Sequence, residues 1–538
     1  MKYLKCCIMS LLLIISRIHA QADLPERLFH YRPGDWTSYQ VSRYVSSLTL
    51  GNEFVYFGTT GGIWRYQFFE HTWYRPFTES DGMASSNVQD VLYDFDTGFL
   101  WCVTDAGISF HEPATEYWRN ISGTRFGDIL DFGLGREYVW VKTRTGYFRI
   151  DAITGFIWAS TTTPGSADQI RWSEKMEAGI DQQYFVDADY LIVQDGIQDA
   201  HLRVYSFTDA VQDQFNNRWL GTWGLGTAHA KTNMLDLNFH QIGPYAPDIR
   251  AMAWDEDGMW MGGFPDSETP HGITYWNMNE DTWHYHEAIY LPGLRSDAVT
   301  AIVVNGPDIW LGTSYGLAKY NTETGEWRTF SPQHNLWDRE ITSLAMNDSV
   351  LWAGTIYGIN RIKLDGHIIE KVRDKQLVHL HIFQLEVDEE GVWAGTDRGI
   401  FRYRANEKEW RFKKGYGGML THDITAVAAY GNEVWFGTDD GIEMINKRTG
   451  EWTGYPTAHF TTGDYIYTIL PDDQAVWFGT DQGLLKYIRD EDRWRLFTVD
   501  DGLPDNVIQW ILLDGDDLWL GTPRGLTRFY WNAPYRVD

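Results

Sequence analysis

The chain has 538 residues, 16% of them aromatic, and a formal net charge of −29 from 74 acidic against 45 basic residues. A surface this acidic repels phosphate backbones and anionic lipids, so no nucleic-acid partner is expected. The length exceeds one ordinary domain, and no segment approaches the roughly 20 apolar residues of a transmembrane helix.

The first 22 residues have the order of a secretory signal peptide. Met1 to Lys5 is basic, Cys6 to Ser16 is apolar, and Ala20-Gln21-Ala22 offers small residues for a cleavage site. The sequence therefore predicts an exported protein, either periplasmic or extracellular. Removal of this segment leaves Cys102 as the single cysteine, so no internal disulfide is expected.

Short strands with a central aromatic residue recur through the N-terminal half. Their recognisable centres are Tyr56, Trp101, Trp140, Trp219 and Trp260. The 79 residues from Trp140 to Trp219 leave room for one further degenerate unit within Ile170 to Leu202.

The C-terminal half repeats a Trp-x-Gly-Thr motif almost without change. The motif begins at Trp310, Trp352, Trp393, Trp435, Trp477 and Trp519, so its period is 41 or 42 residues. A period of about 40 to 45 residues is typical of a propeller blade.

One complete unit extends from Asp423 to Tyr455. It contains four short apolar strands, one of them Val434 to Thr438, separated by turns rich in glycine and aspartate. Four such strands form one twisted antiparallel blade, which can bury its two faces only against neighbouring blades. The sequence therefore predicts an all-β fold of tandem four-stranded antiparallel blades, a β-propeller.

About twelve blades exceed the four to eight of a usual ring and favour two propellers. We expect an N-terminal β-propeller of about five degenerate blades over residues 35–234 and a C-terminal β-propeller of about seven blades over residues 235–538. In this arrangement Trp36 to Tyr39 completes the blade of Trp219, and Leu237 to His240 completes the blade of Trp519. A single twelve-blade ring, closed by Trp36 to Tyr39 beside Phe529, uses the same strands equally well.

The last unit resembles the two-component regulator propeller repeat. The resemblance lies in Asp501-Gly502-Leu503-Pro504-Asp505-Asn506-Val507 and in the run from Leu518 to Phe529, and it extends over Ser296 to Phe529. It is weaker over Trp36 to Met234. The resemblance implies a propeller that recognises a ligand, as in the periplasmic sensors of hybrid histidine kinases. Only Tyr530 to Asp538 follow the last unit, so we expect no signalling output from the chain itself and a separate signalling partner.

Most of the 27 tryptophans are explained by the repeat. Nineteen fall at the second-strand or fourth-strand position of a unit, where packing between blades is the expected role. The tryptophans outside the repeat are Trp64, Trp172, Trp223, Trp254, Trp276, Trp337, Trp510 and Trp531. We expect Trp337 to be the functional one, because it lies in a connection between two blades.

Connections between blades share one face of a propeller with the turns between second and third strands. Ligand-binding candidates on this face are Trp337, Arg339, Glu340, His381, Asp423 and Asn506. The insertion from Phe264 to His271 adds Asp266 and His271, because loops longer than the repeat requires are often functional. The alternative role of the polar residues is capping of their own turns. The predicted ligand is a glycan or a cell-surface protein.

No motif of a known catalytic or metal centre is present. His379 and His381, like His284 and His286, could offer two metal ligands each, but a third ligand is not evident, so neither a metal nor another cofactor is expected. Acidic residues follow the turns rather than converging on one blade, which favours a binding protein over a hydrolase or lyase. A carbohydrate-active enzyme and an extracellular scaffold remain the alternatives.

Overall fold

The computed structural model describes residues 31–160, 163–165, 168–173, 175, 186, 189–194, 196–230, 236–265, 271–413, 423–438, 441–456 and 465–536. Within these residues the strands pair antiparallel into eleven sheets, nine of which have four strands. The prediction of an all-β chain built from four-stranded antiparallel blades is confirmed. Short 3-10 turns lie at Glu79–Asp81, Gly123–Arg125, Pro332–His334, Asp365–His367 and Val499–Asp501.

In the described residues, twenty strands precede residue 241. They are β1 (Trp36–Tyr39), β2 (Val45–Leu50), β3 (Phe54–Thr59), β4 (Gly62–Gln67), β5 (Thr72–Phe77), β6 (Val88–Tyr93), β7 (Leu100–Thr104), β8 (Gly107–Glu112), β9 (Tyr117–Ser122), β10 (Ile129–Leu134), β11 (Tyr138–Thr143), β12 (Gly146–Asp151), β13 (Ile157–Ser160), β14 (Arg171–Trp172), β15 (Tyr190–Val193), β16 (Gly196–Asp199), β17 (Val204–Gln212), β18 (Arg218–Thr222), β19 (Thr227–Ala230) and β20 (Leu237–His240).

The remaining strands form seven consecutive sheets. They are β21 (Ala251–Trp254), β22 (Gly258–Gly262), β23 (Ile273–Asn277), β24 (Thr282–His286), β25 (Val299–Asn305), β26 (Asp308–Thr313), β27 (Gly316–Asn321), β28 (Trp327–Phe330), β29 (Ile341–Met346), β30 (Val350–Thr355), β31 (Gly358–Lys363), β32 (Ile368–Lys371), β33 (Ile382–Asp388), β34 (Gly391–Thr396), β35 (Gly399–Arg404), β36 (Glu409–Lys413), β37 (Ile424–Tyr430), β38 (Glu433–Thr438), β39 (Gly441–Asn446), β40 (Trp452–Pro456), β41 (Ile466–Pro471), β42 (Ala475–Thr480), β43 (Leu484–Ile488), β44 (Arg493–Phe497), β45 (Trp510–Asp514), β46 (Asp517–Thr522) and β47 (Gly525–Tyr530).

The first strands of these seven sheets touch in a closed circuit, since β45 of the seventh sheet contacts β21 of the first. We call these sheets the C-terminal ring. We call the sheets from β2 to β20 the N-terminal ring, and in it β2 contacts both β6 and β17. Within Ile170 to Leu202 the described residues contribute three short strands. β14 pairs with β10, and β15 and β16 extend the sheet of Trp219.

The predicted closure of the two rings is wrong, whereas the pairing of Trp36 to Tyr39 beside Phe529, which the single-ring alternative uses, is observed. β1 pairs with β47, so Trp36 to Tyr39 completes the sheet of Trp519 rather than that of Trp219. Leu237 to His240, as β20, instead pairs with β19 and completes the sheet of Trp219. Aromatic packing explains the choice, because the Trp36 indole stacks on the Phe529 ring at 3.7 Å and is buried there.

Each residue of the Trp-x-Gly-Thr motif has its own structural role. The tryptophans at all six positions are buried between sheets. The threonine caps its own turn, as where the Thr313 hydroxyl donates to the Gly316 carbonyl at 2.8 Å. At the glycine no side chain fits, since a β-carbon on Gly312 would lie 2.8 Å from the Ile341 side chain of the next sheet. The tryptophan and the glycine of the motif therefore mark the packing contact between one blade and the next.

The two rings pack against each other through an aromatic core. Tyr39, Trp64, Trp276, Trp283 and Trp519 belong to one buried cluster that draws on both rings. Two of the tryptophans outside the repeat, Trp64 and Trp276, thus have a structural role as interface residues.

Candidate functional site

The repeat itself places one variable side chain per blade at the centre of the C-terminal ring. In five of the seven sheets a β-bulge follows the isoleucine or valine that begins the first strand, as between Ile341 and Ser343. A bulge leaves one residue without a partner in the ladder and redirects its side chain. The residues after the isoleucine or valine are Arg250, Thr300, Thr342, Phe383, Thr425, Tyr467 and Gln509, and all seven line one cavity.

This cavity, which we call the channel mouth, has a volume of about 190 Å³. Phe264 and Trp510 also line it. Pockets that enclose a whole small molecule usually measure about 300 to 1,000 Å³. The channel mouth is therefore the size of a terminal group or a single side chain of a larger ligand.

Asp248 organises one side of the channel mouth. Its Oδ2 is 2.7 Å from Arg250 Nε and accepts the Phe264 backbone N–H at 2.9 Å. Its Oδ1 accepts from Gln509 Nε2 at 2.6 Å, which joins the first sheet to the seventh. The Arg250 guanidinium also lies 4.1 Å from the centre of the Phe264 ring. One carboxylate thus fixes three of the residues that line the cavity.

The threonines of the channel mouth are committed to the scaffold. Thr300 Oγ1 donates to the Ile341 carbonyl at 2.7 Å, and Thr342 Oγ1 donates to the Ile382 carbonyl at 2.5 Å, so each bridges adjacent first strands. The polar groups that can face a ligand include the terminal nitrogens of Arg250 and the hydroxyl of Tyr467. Burial raises the pKa of that hydroxyl, so it remains a hydrogen-bond donor at neutral pH.

Trp337, the tryptophan expected to act, lies outside the channel mouth. Its backbone N–H donates to Asn360 Oδ1 at 2.8 Å, and Lys371 Nζ is 4.7 Å from the centre of its ring. A β-carbon on Gly358 would be 3.5 Å from the indole. Trp337 therefore packs half-buried against its own sheet.

The neighbouring candidates fall in two places. The Arg339 guanidinium is 5.9 Å from the centre of the exposed Tyr315 ring on the preceding blade. Glu340 is exposed beside it. The His381 ring is 4.2 Å from the ring of Phe383, which brings it to the border of the channel mouth.

The other candidates are distributed around the same face. Asn506 Oδ1 accepts the Val499 backbone N–H at 2.9 Å, which is a capping contact, and Asp423 is exposed. His271 Nε2 is 3.4 Å from Asp297 Oδ1. Asp266 lies outside the described residues.

Sequence reasoning missed Arg250, Phe383, Tyr467 and Gln509. The sequence signal for these residues is one position of the repeat at which the residue type changes between units. Each unit keeps its isoleucine or valine, while the next residue changes from arginine to threonine, phenylalanine, tyrosine or glutamine. Trp510 and Phe264 were noticed, the first as a tryptophan outside the repeat and the second as part of the insertion.

In the part of the chain that the structure describes, no three histidine, cysteine or acidic side chains converge as metal ligands. The same residues include no helix of the length and hydrophobicity that crossing a membrane requires. His286, one of the histidines considered as a metal ligand, packs against the Trp260 ring at a distance of 5.4 Å between ring centres, and burial lowers its pKa to about 4.

Comparison with known proteins identifies the fold. No family model and no curated protein matches the sequence. Among solved structures, PorZ of Porphyromonas gingivalis, described as an essential bacterial surface component of the type-IX secretion system, matches with a TM-score of 0.61 at 14% identity, covering 92% of this chain and 87% of PorZ. The extracellular domain of a B. thetaiotaomicron protein described as a hybrid two-component system gives a TM-score of 0.45 at 16% identity, covering 91% of this chain and 69% of that one. At these identities the similarity is one of architecture, and the chain has the β-propeller fold that it shares with PorZ.

Proposed function

We propose that this protein is exported and recognises a glycan or a cell-surface protein through the loop-rich face of its C-terminal ring, with the channel mouth as the centre of the site. A signalling partner would then be a separate chain. The proposal locates the protein in the periplasm or outside the cell. The basic and apolar order of Met1 to Ser16 supports export.

The observation that carries the proposal is that the position where the blades differ in sequence is also the position that lines the channel mouth. The scaffold residues of each blade repeat, and the seven residues at the variable position, three threonines and four residues of other types, meet in one cavity. Three of them, Arg250, Phe383 and Tyr467, bring a cation, an apolar ring and a hydroxyl to the same opening. A few polar groups among aromatic side chains are typical of sites that orient a ligand.

The size of the channel mouth specifies what part of the ligand enters. A volume near 190 Å³ admits one end group, while the rest of the ligand lies across the rim. We infer that Arg339 and His381, on the same face, contact that remainder. Recognition of a chain end is therefore the mode that we propose.

A binding screen with paired variants tests the proposal. The purified protein is applied to a glycan array and to surface extracts, and Arg250→Ala/Phe383→Ala is compared with the wild type. Arg411→Ala/Phe412→Ala is the matched control, because it removes the same residue types from the outer strand β36. We expect the first variant to lose at least about tenfold in affinity and the control to bind normally.

Two results would contradict the proposal. Binding that survives the Arg250→Ala/Phe383→Ala change would place the site elsewhere on the molecule. Release of a cleaved product from a bound glycan would show an enzyme instead of a recognition protein.

A further inference from the structure

A second opening lies between the two rings, and we call it the inter-ring cleft. Its volume is about 500 Å³, within the range of pockets that hold a ligand. One wall belongs to the N-terminal ring and contains Tyr44 and Trp223. The opposite wall belongs to the C-terminal ring and contains Pro247, Pro523 and Arg524.

Trp223 is the exposed tryptophan of the group outside the repeat. Half of its surface is open, although its backbone is fixed by a bridge to Tyr44, and its ring lies 5.2 Å from the Tyr44 ring. An exposed aromatic side chain held on a rigid turn is a typical anchor for a partner.

One uncommitted polar group of the cleft is a donor. Gln40 is 7% exposed, and its Nε2 has no hydrogen-bond partner among the described residues. Two backbone acceptors of the cleft are already used, because the carbonyls of Gln40 and Val41 accept from Ser42 at 2.8 Å and from Thr60 at 2.7 Å. The cleft therefore offers a buried donor to a ligand that brings an acceptor.

The charge of the protein also restricts the class of partner. Arg524, the cationic lining residue, is paired with Glu79 at 2.9 Å, so it offers little free positive charge. The chain as a whole carries a formal charge of −29. Complementary charge then favours a basic partner over an acidic one.

From these features we propose that the inter-ring cleft binds a basic, proline-containing peptide segment of a partner protein in the polyproline II conformation. Such segments dock in grooves lined by tyrosine, tryptophan and proline. Their carbonyls have no internal partner, which matches the unused donor of Gln40. This site is separate from the channel mouth.

Fluorescence anisotropy with two labelled peptides tests this inference on the full chain. One peptide repeats Pro-Pro-Arg, and the other repeats Ala-Ala-Arg at the same length and charge. We expect the proline peptide to bind and the alanine peptide to bind at least about tenfold more weakly. Trp223→Ala should weaken the proline peptide to a similar extent, while the control Phe215→Ala, which removes an exposed aromatic from the turn between β17 and β18, should change nothing.

Equal binding of the two peptides, or no loss with Trp223→Ala, would overturn the inference. So would binding of cellohexaose that Trp223→Ala abolishes, because it would make the cleft a sugar site. If Trp223→Ala lowers the melting temperature of the protein, Pro523→Gly on the opposite wall serves as the second test variant and should weaken binding of the proline peptide. The Arg250→Ala/Phe383→Ala variant should bind the proline peptide normally, so failure here and failure at the channel mouth are distinguishable.

Discussion

A β-carbon on Gly521 would lie 2.5 Å from the carbonyl oxygen of Ile249, so the last sheet of the C-terminal ring touches the first through a contact that tolerates only hydrogen. The same contact recurs between successive sheets, for example at Gly479 with Ile508. The contact that closes the ring is therefore the same as the contact between its successive sheets.

Gly521→Ala should destabilise the protein more than an ordinary glycine replacement. The clash is with backbone, which no side-chain rotation relieves, and overpacking of this kind costs about 1 to 3 kcal/mol. Gly515→Ala is the control, because a β-carbon there meets nothing within 4 Å and only the left-handed backbone is strained. Urea denaturation of both variants checks the order, and equal midpoints would contradict it.

Asp248→Ala should weaken ligand binding as much as removal of Arg250 does. Asp248 contacts no ligand in the proposed site, but it holds Arg250, Gln509 and the backbone of Phe264 in place. The double variant Asp248→Ala/Arg250→Ala should then lose little beyond either single change, since the residues act as one unit. Titration calorimetry with the ligand from the array measures the three affinities, and additive losses would show independent roles.

Glu386→Gln should stabilise the protein at alkaline pH. Burial raises the pKa of Glu386 to about 7, with Asp388 adding to the rise. Because the folded state holds the proton more tightly, wild-type stability is lost as pH rises from about 4.5 through 7. The uncharged glutamine can still accept the Ala429 N–H that Glu386 accepts at 3.3 Å.

The expected gain for Glu386→Gln is about 2 to 3 kcal/mol at pH 8 and close to zero at pH 4. Thermal melts across this range measure it. A constant difference at all pH values would mean that packing, not ionisation, separates the two proteins.

His286→Phe should reduce sensitivity to acid. Burial lowers the pKa of His286 to about 4, and the neighbouring His284 lowers it further. The unfolded state then binds more protons, so stability is present above about pH 6.5 and is lost as pH falls towards 4. Phenylalanine keeps the contacts with Trp260 and Trp327. The melting temperature of the variant should fall less than that of the wild type between these pH values.

Regular parts of the fold could be predicted because each residue of the motif has a local cause. Trp435 is buried and Thr438 caps its turn, and their counterparts do the same in the equivalent blades. The period of the sequence is therefore the period of the structure. The partner of β1 could not be predicted in this way. Both free edges accept a short apolar strand, and the choice depended on a tertiary contact, the stacking of Trp36 on Phe529.

The residues that line the channel mouth could not be predicted from the loops. Reasoning from loops selected Trp337 and Asn506, which pack or cap locally, whereas the cavity is lined from first strands. A bulge after Ile466 turns Tyr467 out of the ladder, and the alternation of a regular strand does not reveal this. Variation at one fixed position of a repeat is the sequence signal to look for.

Because β1 belongs to the C-terminal ring, the polypeptide crosses between the rings twice, through residues 40–44 and again through residues 241–250. β1 must wait for β47, which is synthesised much later, so the C-terminal ring stays open during translation at a stage when all the strands of the N-terminal ring have been made. Two crossings also act as two tethers. A single proteolytic cut in either one leaves the rings joined, and twisting one ring against the other is opposed at two points instead of one.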